Sequence, residues 1–308
     1  MAMAINKIFK DKIKGLKSEF DIAKNGKDSL LVLLDQNEIP ENVYNSNAIE
    51  NSTLTLKETE KILLEQDLSR NVSLREVFEA KNLARVIEYT RNKSKETEVS
   101  KELIVLLHQM LIGGIDDNVA GRFRKQGKYV RVGTHIAPAP EHVERMIDNI
   151  LVDYSSEHSL YFIDKIAKFH LEFERIHPFC DGNGRIGRVL MNYQLLRLGF
   201  PRLIIRDKEK DQYYEAFKDY QQNKNSKLME KVVALALIES LNKRVVYLKG
   251  KEIVNLSDYV KENKLKAPAV FNAARRQSIS AFRERGVWKI EKNFKDEKQG
   301  KNKPKEKN

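Results

Sequence analysis

A single cysteine stands in 308 residues, so neither a disulfide framework nor a cysteine-based zinc site can organise this chain. Proline is scarce at seven and glycine at fourteen, so regular elements meet few breaks. Long hydrophobic runs are missing as well. The most apolar stretches, residues 103–107 and 232–237, fall far short of the ~18 residues that a membrane helix needs. A helical membrane protein is thereby excluded. The N-terminal MAMAINKIFKDKIKG has no apolar stretch followed by a small-residue cleavage site. The expected location is a reducing cytoplasm.

What is present is length, helical periodicity and positive charge. The chain is long enough for about two domains. Its 41% hydrophobic content, with a mean hydropathy of −0.55, suits a chain that buries a real core. The formal charge is +12, which raises the question of a nucleic-acid partner. Residues 264–308 carry +9 of it, leaving the first 263 residues nearly balanced. The tail from 294 onward contains KDEKQGKNKPKEKN and, after Phe294, no apolar residue, so a disordered basic tail is expected over 294–308.

Apolar residues recur three and four apart in LKETEKILLEQ, REVFEAKNLARVIEYT, SKELIVLLHQMLIGG and HVERMIDNILVDY, which predicts helices. The exception is GRFRKQGKYVRVGTHIAPAP at 121–140, where Tyr129, Val130 and Val132 favour a strand and the Ala-Pro-Ala-Pro ending stops it. A short hairpin between helices is expected. The fold class is therefore mainly α, in three segments: an N-terminal helical region over 1–99, a helical core over 100–225 and a C-terminal module over 226–293. In that module LSDYVKENKLK, APAVFNAARRQSISAFRERG and VWKIEKNF read helix, helix, short strand, as a winged helix-turn-helix would.

The chemistry is concentrated in AKFHLEFERIHPFCDGNGRIGRVLMNYQLL, residues 167–196. Pro178 disfavours a helical conformation at His177, and Gly182 and Gly184 permit backbone turns that other residues resist. One helix should therefore end near His177 and another begin near Gly184. A glycine loop that opens a helix aims unpaired amides and the positive end of the dipole at one spot. Arg185 and Arg188 lie close on one face of that helix, and two guanidiniums beside an amide nest suit a polyphosphate. Asp181 offers a hard oxygen ligand for Mg²⁺. His177, with an ordinary pKa near ~6.5, can accept a proton. Phosphate or nucleotide chemistry with a histidine base follows.

HPFCDGNGRIGR, residues 177–188, resembles the signature HPFx(D/E)GNGRxxR of the Fic (Fido) family, and every specified position is filled. The likeness covers roughly residues 40–225. It implies a Fic-type helical bundle and transfer of AMP from ATP to a Ser, Thr or Tyr hydroxyl of a target protein, with self-modification included. On that resemblance His177 is the base and Asp181 holds Mg²⁺. Gly182, Asn183 and Gly184 form the anion hole, with the Asn183 side chain on the α-phosphate. Arg185 and Arg188 take the β- and γ-phosphates, and Phe179 is a buried anchor. The segment 128–135 resembles the family's flap, which pairs with the target backbone as an added strand. Cys180 fills the variable position of the motif.

Ser46-Asn47-Ala48-Ile49-Glu50-Asn51 matches the family's inhibitory pattern (S/T)xxxE(G/N) and implies an inhibitory helix near 42–51. There Glu50 would neutralise Arg188, with Ser46 beside it, and turn incoming phosphate away. Tyr213 and Tyr214, after Arg206, stand where relatives have aromatics near the nucleotide base, although helix packing explains them equally well. His108, His135, His142, His158 and His170 show no ligand spacing, and His170 is expected to pack. Two other functions remain open: removal of AMP by the same site, and a DNA-binding regulator acting through the C-terminal module, where Arg275 and Arg276 lie. Self-association into a homodimer is a further expectation from the resemblance.

Overall fold

The helices begin where the sequence offers caps. In the computed structural model, which describes residues 7–66, 68, 70–132 and 135–295, the chain opens with α1 (Lys7–Ala23), α2 (Asp28–Asn37) and α3 (Ile39–Ile49). Thr55 starts α4 (Leu56–Leu63) with a capping box to Glu58. Ser73 accepts from the Glu76 amide at the head of α5 (Leu74–Lys93). Ser100 does the same for the Leu103 amide before α6 (Lys101–Ile112). Each such cap is worth about 1 kcal/mol. The hairpin expected around 121–140 is small: β1 (Arg131–Val132) pairs antiparallel with β2 (His135–Ile136). Within the segment 128–135, Gly133 and Thr134 lie outside the described residues. Pro140 then opens α7 (Pro140–Ser156), followed by α8 (Phe162–Ile176), α9 (Asn183–Arg197), α10 (Lys210–Asn223) and α11 (Lys227–Leu248).

The chain divides into two compact units. Among the described residues, one comprises 7–11 and 33–237, the other 12–32 and 238–295. This partition differs from three consecutive segments. Residues from the N-terminal region, Val43, Leu83 and Val86 among them, share one buried cluster with Leu107, Phe173 and Tyr193 of the later helices. An amphipathic helix cannot stand alone in water, so its apolar stripe finds the nearest complementary face.

At the centre of the first unit, α9 is buried along nearly its whole length, polar residues included. It packs against α8, α5, α6 and α3. Its polar side chains find partners rather than water. Asn192 both donates to and accepts from the Leu203 backbone, at 3.1 and 2.9 Å. The Tyr193 hydroxyl donates to the Thr97 carbonyl at 2.7 Å.

In the second unit, the end of α11 leads to β3 (Ile253–Asn255), α12 (Leu256–Glu262), α13 (Ala267–Arg275), β4 (Phe282–Glu284) and β5 (Val287–Glu291). The strands form an antiparallel sheet ordered β3-β5-β4. Helix, strand, helix, helix and a two-stranded wing is the winged-helix order. The sequence signalled α12, α13 and the last strand; β3 and β4 are too short for their alternation to register. Phe294 packs against Tyr259 and its carbonyl accepts from the Tyr259 hydroxyl at 2.9 Å, so order extends past 293. Residues 296–308, most of the expected tail, lie outside the described residues. Among the described residues no helix is long and apolar enough to cross a membrane.

Candidate active site

Helix α8 ends as the Ile176-His177-Pro178 sequence requires. His177 caps it in the left-handed region (φ 49°, ψ 64°), its amide donating to the Phe173 carbonyl at 2.9 Å. A non-glycine residue held there stores about 1 kcal/mol or more, so neighbours must fix it. Arg124 does so. Its buried guanidinium donates to the carbonyls of His177 (2.7 Å), Ile176 (3.1 Å), Lys128 (3.0 Å) and Pro138 (2.9 Å). One side chain thus ties the His177 turn to both ends of the hairpin segment. Its only sequence signal was an arginine inside that segment.

The loop between α8 and α9 is locked from below. Phe179 is fully buried and stacks on His108 at 3.6 Å between centroids. His108 Nδ1 accepts from the Gly121 amide at 2.9 Å, so its Nε2–H faces the Asp181 carbonyl at 3.0 Å. Burial pushes this imidazole down to about 4, and it stays neutral. The histidine is buried, and what it supports is the site loop itself. The Asn183 side chain is turned inward as well: its oxygen accepts from the Phe179 amide (2.8 Å) and its nitrogen donates to the Phe179 carbonyl (2.9 Å). In this conformation Asn183 shapes the loop rather than reaching for a phosphate. Gly182, at φ 77°, makes the turn into α9. A Cβ on Gly182 would also meet Leu111 and Ile112 at 3.1 Å.

A cleft of about 470 Å³ opens beside this loop, within the range of small-molecule sites. Glu50, Glu174, His177, Gly184, Arg188, Tyr213 and Tyr214 line it. Arg188 is buried and fully engaged. It donates to Glu50 (2.9 Å), to the Ser46 hydroxyl (2.9 Å) and carbonyl (2.7 Å), and to the Tyr213 hydroxyl (3.4 Å). The Ser46–Glu50 spacing now has a physical meaning. Helix α3 ends at Ile49 with Glu50 as its C-cap, and Asn51 adopts φ 67°, a position that glycine and asparagine tolerate best. The helix is held in turn by a buried Glu41–Arg206 ion pair and by the Asp207 amide donating to Asn45 at 3.0 Å. Gly184 leaves room for this pairing: a Cβ would lie 2.2 Å from Glu50 Oε1 and push the carboxylate aside.

Asp181 and Arg185 do not line the cleft. They sit on the other flank of the loop, where Arg185 meets Asp181 (3.1 Å) and Glu79 of α5 (3.2 Å). Arg75 donates to both Asp181 and Glu79. Burial would raise the Asp181 carboxyl, but Arg185, the Gly182 amide and Arg75 outweigh it and hold it below its ordinary value. Among the described residues no three His, Cys, Asp or Glu side chains converge as a metal cage. A single ionised, part-exposed carboxylate suits Mg²⁺, which commonly takes one or two carboxylates and completes its shell with phosphates and water. Asp181 fits that description.

The tyrosines divide. Tyr213 is buried and bonded to His170 Nε2 at 2.7 Å, so His170 supports the Arg188 network as well as packing. Burial and Arg188 push His170 down to about 3. Tyr214 is part exposed in the cleft, and its hydroxyl donates to the Ile49 carbonyl at 2.9 Å. Sequence reasoning missed Arg75, Glu79, Arg124 and Glu174. The last lies one helical turn before His177, its Oε2 3.9 Å from His177 Nδ1. Its Oε1 is buried without a hydrogen-bond partner among the described residues. Burial first, then Glu50, raises this carboxyl to about 8. Gly187 leaves it room, since a Cβ there would stand 2.5 Å from Glu174 Oε1.

The likeness to known proteins centres on this loop. Residues 98–195 match the family model of the Fic/DOC family. Curated relatives named "Protein adenylyltransferase Fic" are 34% identical over 180 residues (Nematostella vectensis) and 32% over 181 residues (Drosophila persimilis). These alignments cover 57% and 58% of this chain but only 42% and 35% of the relatives, so the chain spans less than half their length. A Fic-domain-containing signaling protein from Bacteroides thetaiotaomicron superposes with a TM-score of 0.70 at 25% identity, covering 78% of this chain and 98% of that one. A Fic family protein from Desulfovibrio desulfuricans shares the fold over 96% of this chain and 99% of its own, with a TM-score of 0.63 at 21% identity. The site loop lies inside the matched residues, and over 98–195 the chain is similar to the Fic/DOC family.

Proposed function

We propose that the protein is an autoinhibited protein adenylyltransferase that moves AMP from ATP to a hydroxyl of a target protein. The supporting observation is the cleft itself: a histidine at the end of α8 and a buried arginine on α9 share its wall, and the arginine is neutralised by Glu50 of α3. The target hydroxyl oxygen attacks the α-phosphorus and His177 takes its proton. The bond from the α-phosphorus to the α,β-bridging oxygen breaks, and pyrophosphate leaves. Amides at the start of α9 receive the phosphate charge, and Arg188 holds the terminal phosphate once Glu50 releases it. Asp181 would hold Mg²⁺, which supplies neutralising charge to the phosphates. Target protein reaches the cleft along the hairpin segment 128–135, whose base Arg124 fixes.

Glu50 blocks in two ways: it occupies the guanidinium that the terminal phosphate needs, and it repels that phosphate. A charge-assisted hydrogen bond is worth about 1.5–3 kcal/mol, so Glu50→Gly should raise ATP affinity roughly 10- to 100-fold. The test is label transfer from α-labelled ATP with Mg²⁺, to the protein itself and to added proteins. Glu50→Gly should label strongly, wild type weakly and His177→Ala not at all. Equal inertness of Glu50→Gly and His177→Ala would refute the proposal.

A further inference from the structure

The second unit carries an exposed basic row that the proposed chemistry does not use. Residues 238–295 hold fourteen Lys or Arg against six Asp or Glu. Many of these cations are spent internally: Arg283 on Glu239 (2.6 Å), Lys243 on Glu284 (3.5 Å), Lys251 on Glu291 (3.0 Å) and Lys292 on Glu252 (2.7 Å). Lys261, Lys264, Lys266, Arg275 and Arg276 are different. All five are exposed, and none enters an ion pair among the described residues. They cluster at the end of α12, on the α12–α13 turn and at the end of α13, the helix that follows the turn in a helix-turn-helix.

The scaffold beneath this row is well built. Leu256, Tyr259, Ala274, Ile279, Ala281 and Ile290 form its core. Residues 263–266 make the turn, with Lys264 in the left-handed region at φ 52°. The hairpin β4–β5 closes at Arg285 and Gly286, both at positive φ, the conformation of a tight two-residue hairpin turn. Pro268, Ala269, Asn272, Arg275 and Arg276 share the exposed side of α13, and Asn272 Oδ1 accepts from Arg275 at 3.1 Å.

We propose that this module docks α13 into the major groove of duplex DNA. The helix, about 13 Å long, matches a groove about 12 Å wide. Asn and Arg are residue types that read adenine and guanine edges there, while the lysines of the turn face phosphates. A protein-binding face would present aromatic or Met anchors beside its arginines. The exposed side of α13 has none, because Val270 and Phe271 turn to the core. Charge without apolar anchors favours a polyanion, and a groove-sized helix favours a duplex.

The experiment is fluorescence anisotropy of a labelled mixed-sequence duplex with the full chain, between about 50 and 200 mM salt. Binding should weaken with a log–log salt slope of roughly −3 to −5, near 0.9 per neutralised phosphate. Lys264→Ala/Lys266→Ala/Arg275→Ala/Arg276→Ala should flatten that slope by about 3 and weaken binding more than about ten-fold at low salt. Lys249→Ala/Lys251→Ala, which removes cations paired with Glu19 (3.0 Å) and Glu291 (3.0 Å), should leave it unchanged. Arg276→Glu, a single exposed substitution, retests the face without the risk of unfolding. Absent binding at low salt, equal loss in the paired-lysine control, or displacement by polyglutamate at equal charge would overturn the proposal. AMP transfer reports on neither outcome.

Discussion

Arg185 and Arg188 are three residues apart on one helix and are both buried, yet they are held in different ways. Arg188 is gripped mainly by one other element: Ser46 of α3 and its C-cap Glu50 supply three of its four hydrogen bonds, and Tyr213 of α10 the fourth. Arg185 shares its carboxylates with Arg75, at a part-exposed flank where Asp181 is two-fifths open to water. Charge pairs in water are weak and replaceable, whereas a buried guanidinium that loses its partners suffers the full desolvation cost. The first arrangement couples the site to the position of a helix. The second leaves a carboxylate that a cation can claim by displacing an exposed arginine.

The largest expected effect tests that contrast directly. Arg188→Ala strands the Ser46 carbonyl and Glu50, and should destabilise the protein by about 3–5 kcal/mol in urea unfolding. Arg185→Ala should cost clearly less, because Arg75 remains beside Asp181 and Glu79. Equal losses would abolish the distinction.

The next effect concerns pH. In the unfolded chain Glu174 releases its proton near ~4.3, whereas burial and Glu50 keep it protonated up to about 8 in the fold. The folded state then binds more protons between these values, so stability should fall as pH rises through that window and level off above it. The loss should be at most about 5 kcal/mol. Glu174→Gln should remove the slope when unfolding is compared at the two ends of the window. A slope that survives would assign the proton elsewhere.

Gly184→Ala comes third. Its Cβ would push Glu50 Oε1 off Arg188, so it should cost about 1–3 kcal/mol in wild type and much less in a Glu50→Gly background. A double-mutant cycle by thermal unfolding measures the coupling, and strict additivity would show that the two residues do not meet. The smallest effect belongs to Arg75→Ala. An exposed pair is worth up to about 1 kcal/mol, so stability should scarcely move. The Mg²⁺ needed for half-maximal labelling should drop by at most about five-fold.

Much of this was legible in the sequence because it is local. The helices of 56–66, 75–90, 100–114 and 142–154 announce themselves by periodicity, and each is present within a few residues of the expected ends. HPFCDGNGRIGR carries its own turn, since Pro178 disfavours a helix at His177 and Gly182 admits the positive φ that follows. Ser46 and Glu50 could be matched to a pattern, but not to a bond. Arg124, Glu79 and Glu174 could not be read, because a charged residue on a helix looks the same whether it faces solvent or a neighbour's carbonyl. Asn183 was expected to reach toward phosphate and instead braces Phe179, a choice settled by whichever partner lies within hydrogen-bonding distance.

By itself the sequence determined the mainly helical class, the site loop and the concentration of positive charge beyond residue 264, since all three depend on residue type and spacing alone. Only the tertiary structure decided that residues 33–93 join the first unit's core while 12–32 go with the second unit. It also decided that Arg188 is clasped while Asp181 stays accessible, and that the basic excess splits into paired cations and an open row. Those outcomes depend on which distant groups arrive within about 3 Å of one another, and no local pattern encodes that distance.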